Sequence, residues 1–169
     1  TMTEGYDSNA NSRVERRNSK FNQLLRTILL GATGGRLYYE ELWDVGYDHI
    51  SDVVNHLPEA GGDTPRPMMK AGGTDVTVED MVEAFGAYTV YYESKERRPS
   101  KGRQTDVPGR KGIYVGRSKL ISGGHRIIPI EWSQETHMWS LGPVVERAYA
   151  EVDNTKFPLR TVASVGGGP

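Results

Sequence analysis

The chain has 169 residues, a formal net charge of −1 at neutral pH and no cysteine. That length accommodates one domain, or one and a small appendage. The lack of cysteine excludes disulfides, thiolate zinc sites and a cysteine nucleophile. No apolar run approaches the roughly 18 residues of a membrane span, and the N-terminus carries no charged-then-apolar signal pattern.

The near-neutral total hides alternating blocks. Residues 11–30 carry five Lys/Arg and one acid, residues 40–93 carry twelve acids with only Arg66 and Lys70, and residues 94–126 carry ten basic residues against Glu96 and Asp106. Blocks of this kind either form solvated faces or await an anionic partner on the basic side.

Residues 1–10 are polar and read as flexible. Val14, Phe21, Leu24, Leu25, Ile28 and Leu29 then recur at helical spacing, which predicts an amphipathic helix. Glu15 stands at its head among Arg13, Arg16, Arg17 and Lys20. Ser12 and Glu15 have capping-box spacing, which gives Glu15 a purely structural role. Gly31-Ala32-Thr33-Gly34-Gly35 suits a glycine helix terminus. A dinucleotide-binding turn needs a strand before its glycines, whereas the spacing here is helical.

A second amphipathic helix is predicted over 37–57, stopped by Pro58. His49 and His56 lie seven apart on it, and without a third ligand they read as packing or surface histidines. Residues 58–75 read as a loop. Residues 76–82 are ambiguous, with a short helical turn possible. Ala87–Tyr92 has strand composition, and residues 93–111 form a basic, Gly/Pro-containing loop. Strand-like runs follow at 112–116, 126–132, 137–141 and 144–152, separated by Gly123-Gly124 and Gly142-Pro143. This pitch predicts a small sheet or barrel. Phe157-Pro158-Leu159-Arg160 ends the ordered part, leaving 161–169 as a tail.

Five signals in this order resemble the copia-type retrotransposon integrases. Asn11-Ser12-Arg13-Val14-Glu15-Arg16-Arg17-Asn18 is similar to that family's N-G-V-x-E-R-x-N segment, with Ser12 in place of Gly. Asn55-His56-Leu57-Pro58, Thr64-Pro65, Phe85-Gly86-Ala87-Tyr88 and Gly112-Ile113-Tyr114-Val115-Gly116 follow. The likeness covers about residues 11–132. Gly112-Ile113-Tyr114 also resembles one strand of the nucleases named for G-I-Y and Y-I-G motifs, but the second motif is missing.

The integrase resemblance implies an α+β fold. The N-terminal helices (11–75) would resemble the last helices of an RNase H-like core, and a small antiparallel β sheet or barrel (76–160) would follow. It implies that Glu15 is the last of three catalytic acids and a metal ligand, holding Mg or Mn only with acids supplied from elsewhere. The other two acids lie further upstream in the family. Only Glu4 and Asp7 precede Glu15 here, too near to take those places, so the isolated chain is expected to be inactive in DNA integration. Arg13, Arg16, Arg17, Lys20, Lys95, Arg97, Arg98, Lys101, Arg103, Arg110 and Lys111 would contact DNA phosphates. The apolar helix stripes, lacking the core sheet, would need altered packing, an oligomer or a partner: the remainder of the integrase polyprotein, or another protein. A retroelement integrase would work in the nucleus or in a cytoplasmic particle. The alternative is a domesticated or mis-called fragment serving as a structural subunit of a larger complex.

Overall fold

The computed structural model describes residues 8–35, 39–56, 82–93 and 109–160. Two helices precede an antiparallel sheet. They are α1 (Ser8–Thr33) and α2 (Glu41–His56). The strands are β1 (Tyr88–Tyr92), β2 (Gly109–Arg117), β3 (His125–Ser133), β4 (Met138–Leu141), β5 (Val145–Arg147) and β6 (Ala150–Asp153), and a 3₁₀ turn at Pro158–Arg160 ends the described chain. This is the expected α+β order. None of the helices is long and apolar enough to cross a membrane, among the described residues.

Helix α1 begins at Ser8, so Ser12 lies one turn inside it and is not its N-cap. The capping-box role for Glu15 is thereby set aside, because that box needs the serine outside the first helical turn. At the other end, the amides of Gly34 and Gly35 both donate to the carbonyl of Leu30, at 2.9 and 3.3 Å. Gly34 and Gly35 both have positive φ, so these glycines are a helix terminus. The dinucleotide reading fails because a helix, not a strand, leads into them. Helix α2 begins at Glu41, four residues later than the periodicity suggested.

In the sheet the order is β4-β3-β2-β1-β6, with β5 also paired to β3. Because β5 and β6 are separated only by Ala148 and Tyr149, one bent segment reaches from the edge of β3 to the edge of β1. The sheet therefore curls on itself like a small barrel. Two features of β2 explain its glycines. A Cβ on Gly112 would lie 2.4 Å from Ile127 Cγ2, so no larger residue fits. Gly116 sits at a bulge after Tyr114 with φ of 142°, a backbone state that disfavours L side chains.

The sheet also forks. The β2–β3 pairing stops at Gly112↔Pro129, while β3 continues against β4 from Ile130↔Leu141 to Ser133↔Met138. The first residues of β2, Gly109 to Lys111, pair only with β1. A cleft opens between the two branches.

One cluster of buried residues joins helices and sheet. Leu25, Leu29 and Ala32 of α1 and Leu42 and Val45 of α2 meet Phe85, Ile113, Val115, Ile128, Ile130 and Leu159. Each Leu or Ile buried in this way contributes about 1.5–3 kcal/mol. The helix stripes thus find a covering surface within the chain from Leu25 onward, the altered-packing outcome. Val14 and Tyr47 remain 58% and 54% exposed. The loop and possible helical turn predicted over 58–81, and the tail 161–169, lie outside the described residues.

Candidate nucleic-acid interface

Helical geometry sorts the charges at the head of α1. Arg13, Arg16, Arg17 and Lys20 lie at i, i+3, i+4 and i+7, which places all four on one stripe running roughly 10 Å along the axis. All four are exposed. None is engaged by an acid among the described residues. Glu15 is also exposed, but at 100° per residue it points roughly 150° away from the centre of that stripe. In the sequence Glu15 stands among the cations; on the helix it faces elsewhere. Its neighbours one turn away are Asn11, Ser12, Asn18 and Ser19, all uncharged.

A pair of divalent cations needs several converging carboxylates. Among the described residues no group of three or more His, Cys, Asp or Glu could hold a metal ion. The described surroundings of Glu15 therefore do not by themselves fit the Mg or Mn site that the resemblance implies.

The basic residues of the sheet behave differently from those of α1. Arg117 donates from Nε and Nη2 to the two carboxylate oxygens of Asp52, both at 3.0 Å. Arg126 donates to Asp48 at 3.2 Å and approaches Glu146 at 3.9 Å. Lys119 lies 3.8 Å from Asp48, and the Ser118 hydroxyl donates to Glu146. Asp48 and Asp52 are one turn apart on α2, so a single helix face neutralises the bulge end of β2 and the start of β3. Among the described residues, three cations of the 94–126 block, Arg117, Lys119 and Arg126, are accordingly engaged by α2. Sequence reasoning missed this pairing; its signal was the i, i+4 spacing of Asp48 and Asp52.

The α2 histidines serve packing. Nδ1 of His56 lies 2.8 Å from the Asp52 carbonyl oxygen and 3.1 Å from its carboxylate. Both are acceptors, so this nitrogen carries the proton. The His49 ring stands 5.3 Å from that of Phe85 and 6.3 Å from that of Tyr114, and its Nδ1 is buried without a hydrogen-bond partner among the described residues. Burial pushes the His49 pKa down; Asp52 opposes that shift, while Arg117 and Arg126 add to it. Burial likewise raises the Tyr114 hydroxyl pKa.

Of the remaining predicted phosphate contacts, Arg110 pairs with Glu93 at 3.0 Å, and Lys111 is exposed on β2 with no ion pair among the described residues. Lys95, Arg97, Arg98, Lys101 and Arg103 lie outside the described residues, in the segment joining β1 to β2. The structure thus brings four predicted residues together on α1 and two at the start of β2. When the chain is compared with known protein families, with curated proteins and with solved structures, no match is found.

Proposed function

We propose that this chain is a nucleic-acid-binding part of a copia-type retrotransposon integrase. Helices α1 and α2 would correspond to the last helices of the RNase H-like core, and the curled sheet to the small β-module that follows. The observation supporting this most is the cationic stripe of Arg13, Arg16, Arg17 and Lys20, exposed and without an ion pair among the described residues, while the cations beside α2 are neutralised internally. Side chains of this kind contact phosphates without reading sequence. Glu15 is the family's third acid in this reading, completed with Mg or Mn only by carboxylates from elsewhere in the parent polypeptide. Because Glu15 faces away from the stripe, it takes no part in the contact with DNA that the cations make.

Fluorescence anisotropy with a labelled DNA duplex at several salt concentrations tests the reading. Four phosphate contacts give a slope of log K against log salt of about −3.6, steeper if the 95–103 cations add to it. Absence of binding at low salt, or a flat slope, would reject it.

A second reading has its own support. Val14, Leu30, Trp43 and Tyr47 leave large apolar side chains exposed on the helix pair, as a subunit docking on a larger assembly would require. It predicts co-purification in a stable complex and no DNA binding.

A further inference from the structure

The fork between β2 and β3 holds a cleft of about 580 Å³, within the range of roughly 300–1,000 Å³ typical of small-molecule sites. Trp132 and Trp139 supply aromatic surface, Arg110 and Lys111 positive charge, and Glu131 a hydrogen-bond acceptor. We propose that this cleft takes one unpaired nucleotide of a DNA single strand, its base against the indoles and its phosphate at Lys111. This rests on the nucleic-acid reading above and adds the form of the ligand and the place where it binds.

The geometry supports a base rather than a phosphate alone. The recess exists because the two branches of the sheet part after Gly112↔Pro129. It is concave, and Pro129, Ile130, Trp132, Trp139 and Leu141 line it together with the polar groups, so a flat ring gains apolar contact there. Trp132 and Trp139 meet edge to face, with centroids 5.3 Å apart. Trp139 is fixed by its Nε1 donating to the Pro158 carbonyl at 3.1 Å. Both indoles are only partly buried. In a duplex the base faces are stacked on one another and cannot enter such a recess; in a single strand they can. The charges complement the ligand: Lys111 is unpaired among the described residues, and Arg110 stands half exposed beside it. Glu131 repels phosphate but accepts a hydrogen bond from an exocyclic amine of a base, which orients the base inward and the phosphate toward β2.

The test uses the full chain carrying Trp43→Phe, which leaves the two cleft tryptophans as the fluorophores. The probes are a mixed-sequence DNA strand of roughly 12 nucleotides, within the span of known single-strand sites, and the blunt duplex of the same sequence. Anisotropy of labelled DNA reports binding anywhere on the chain, and tryptophan quenching reports the cleft. The proposal expects saturable quenching by the single strand and affinity for it roughly tenfold above that for the duplex, the lower part of the gain of one base stack. Trp132→Leu should remove the preference and Trp132→Phe restore most of it. Trp132→Phe breaks no hydrogen bond among the described residues, where the indole N–H has no partner, and circular dichroism confirms folding. Lys111→Ala, on an exposed residue, should reduce the single-strand salt slope by about 0.7. Binding by anisotropy without quenching, or with equal affinity for both probes, would overturn the cleft proposal and leave the α1 reading intact. No binding of either probe at low salt would overturn both.

Discussion

Replacing Asp52 and Arg117 singly and together measures how firmly α2 is fastened to the sheet. The two hydrogen bonds of this pair are both 3.0 Å long and lie in a fork-to-carboxylate arrangement. Hydrogen bonds to charged groups contribute about 1.5–3 kcal/mol each when well shielded. The side chains here are 26% and 21% exposed, so solvent screens part of that. Exposed pairs couple by about 0.2–1 kcal/mol, and breaking a buried pair costs about 3–5 kcal/mol. A coupling energy of about 1.5 kcal/mol is therefore expected from the double-mutant cycle of Asp52→Ala with Arg117→Ala. Urea unfolding followed by tryptophan fluorescence gives the four stabilities. Asp52→Ala should cost more than Arg117→Ala, because Asp52 also holds His56. Coupling below about 0.5 kcal/mol would place the pair with ordinary surface ion pairs and refute the argument that α2 neutralises this part of the sheet.

Gly86→Ala should destabilise the chain by about 3 kcal/mol, from overpacking and an unfavourable backbone state together. Gly86 has φ of 83°, and an added Cβ would lie 2.4 Å from the Cβ of Ala32; unchanged urea stability would contradict the docking of α1 there. Burial depresses the pKa of His49 below its ordinary 6.5, so its neutral form favours folding above pH 6.5 and that stability is lost as pH falls below it through the depressed folded value. The groups facing it are Asp52, Arg117 and Arg126, and His49→Gln should flatten the decline in stability on acidification, seen in urea melts at pH 7.5 and 5.5. Glu15→Gln should change stability by less than about 0.5 kcal/mol, as an exposed substitution, and a strand-transfer assay in Mg²⁺ or Mn²⁺ should show no Glu15-dependent turnover by this chain. Turnover abolished by that substitution would overturn the account of Glu15.

The strands were legible because their chemistry is local. Val90-Tyr91-Tyr92 and Ile127-Ile128 are strand formers, and Gly123-Gly124 and Gly142-Pro143 mark turns between runs. The apolar stripe of α1 gave its buried face, with Leu25 and Leu29 in the core. Its start was misjudged because Ser12 and Glu15 mimic a cap within a helix that begins earlier. The predicted run 144–152 divides at Ala148 and Tyr149 because β5 and β6 pair with different strands, a tertiary fact that no local pattern carries.

The site was legible by composition and not by geometry. The cations of α1 were counted together with Glu15, yet helical phase separates them. Arg117 and Arg126 belonged to a basic block whose acidic partners lie 65 and 78 residues away. The cleft was not foreseen, since Trp132 and Trp139 are brought together by a β3–β4 register and Lys111 by the β1–β2 ladder, one residue beyond the point where β2 parts from β3.

The central claim is that the cations divide into an exposed set on α1 and a set neutralised by α2. The salt dependence of duplex binding tests it most directly, comparing Arg16→Ala with Arg17→Ala on one side and Arg117→Met on the other. The α1 pair should lower the steepness of the slope by about 1.8, at 0.9 per lost contact, and Arg117→Met, with folding confirmed by circular dichroism, should leave it unchanged. A slope that follows Arg117 and ignores the α1 pair would contradict the account.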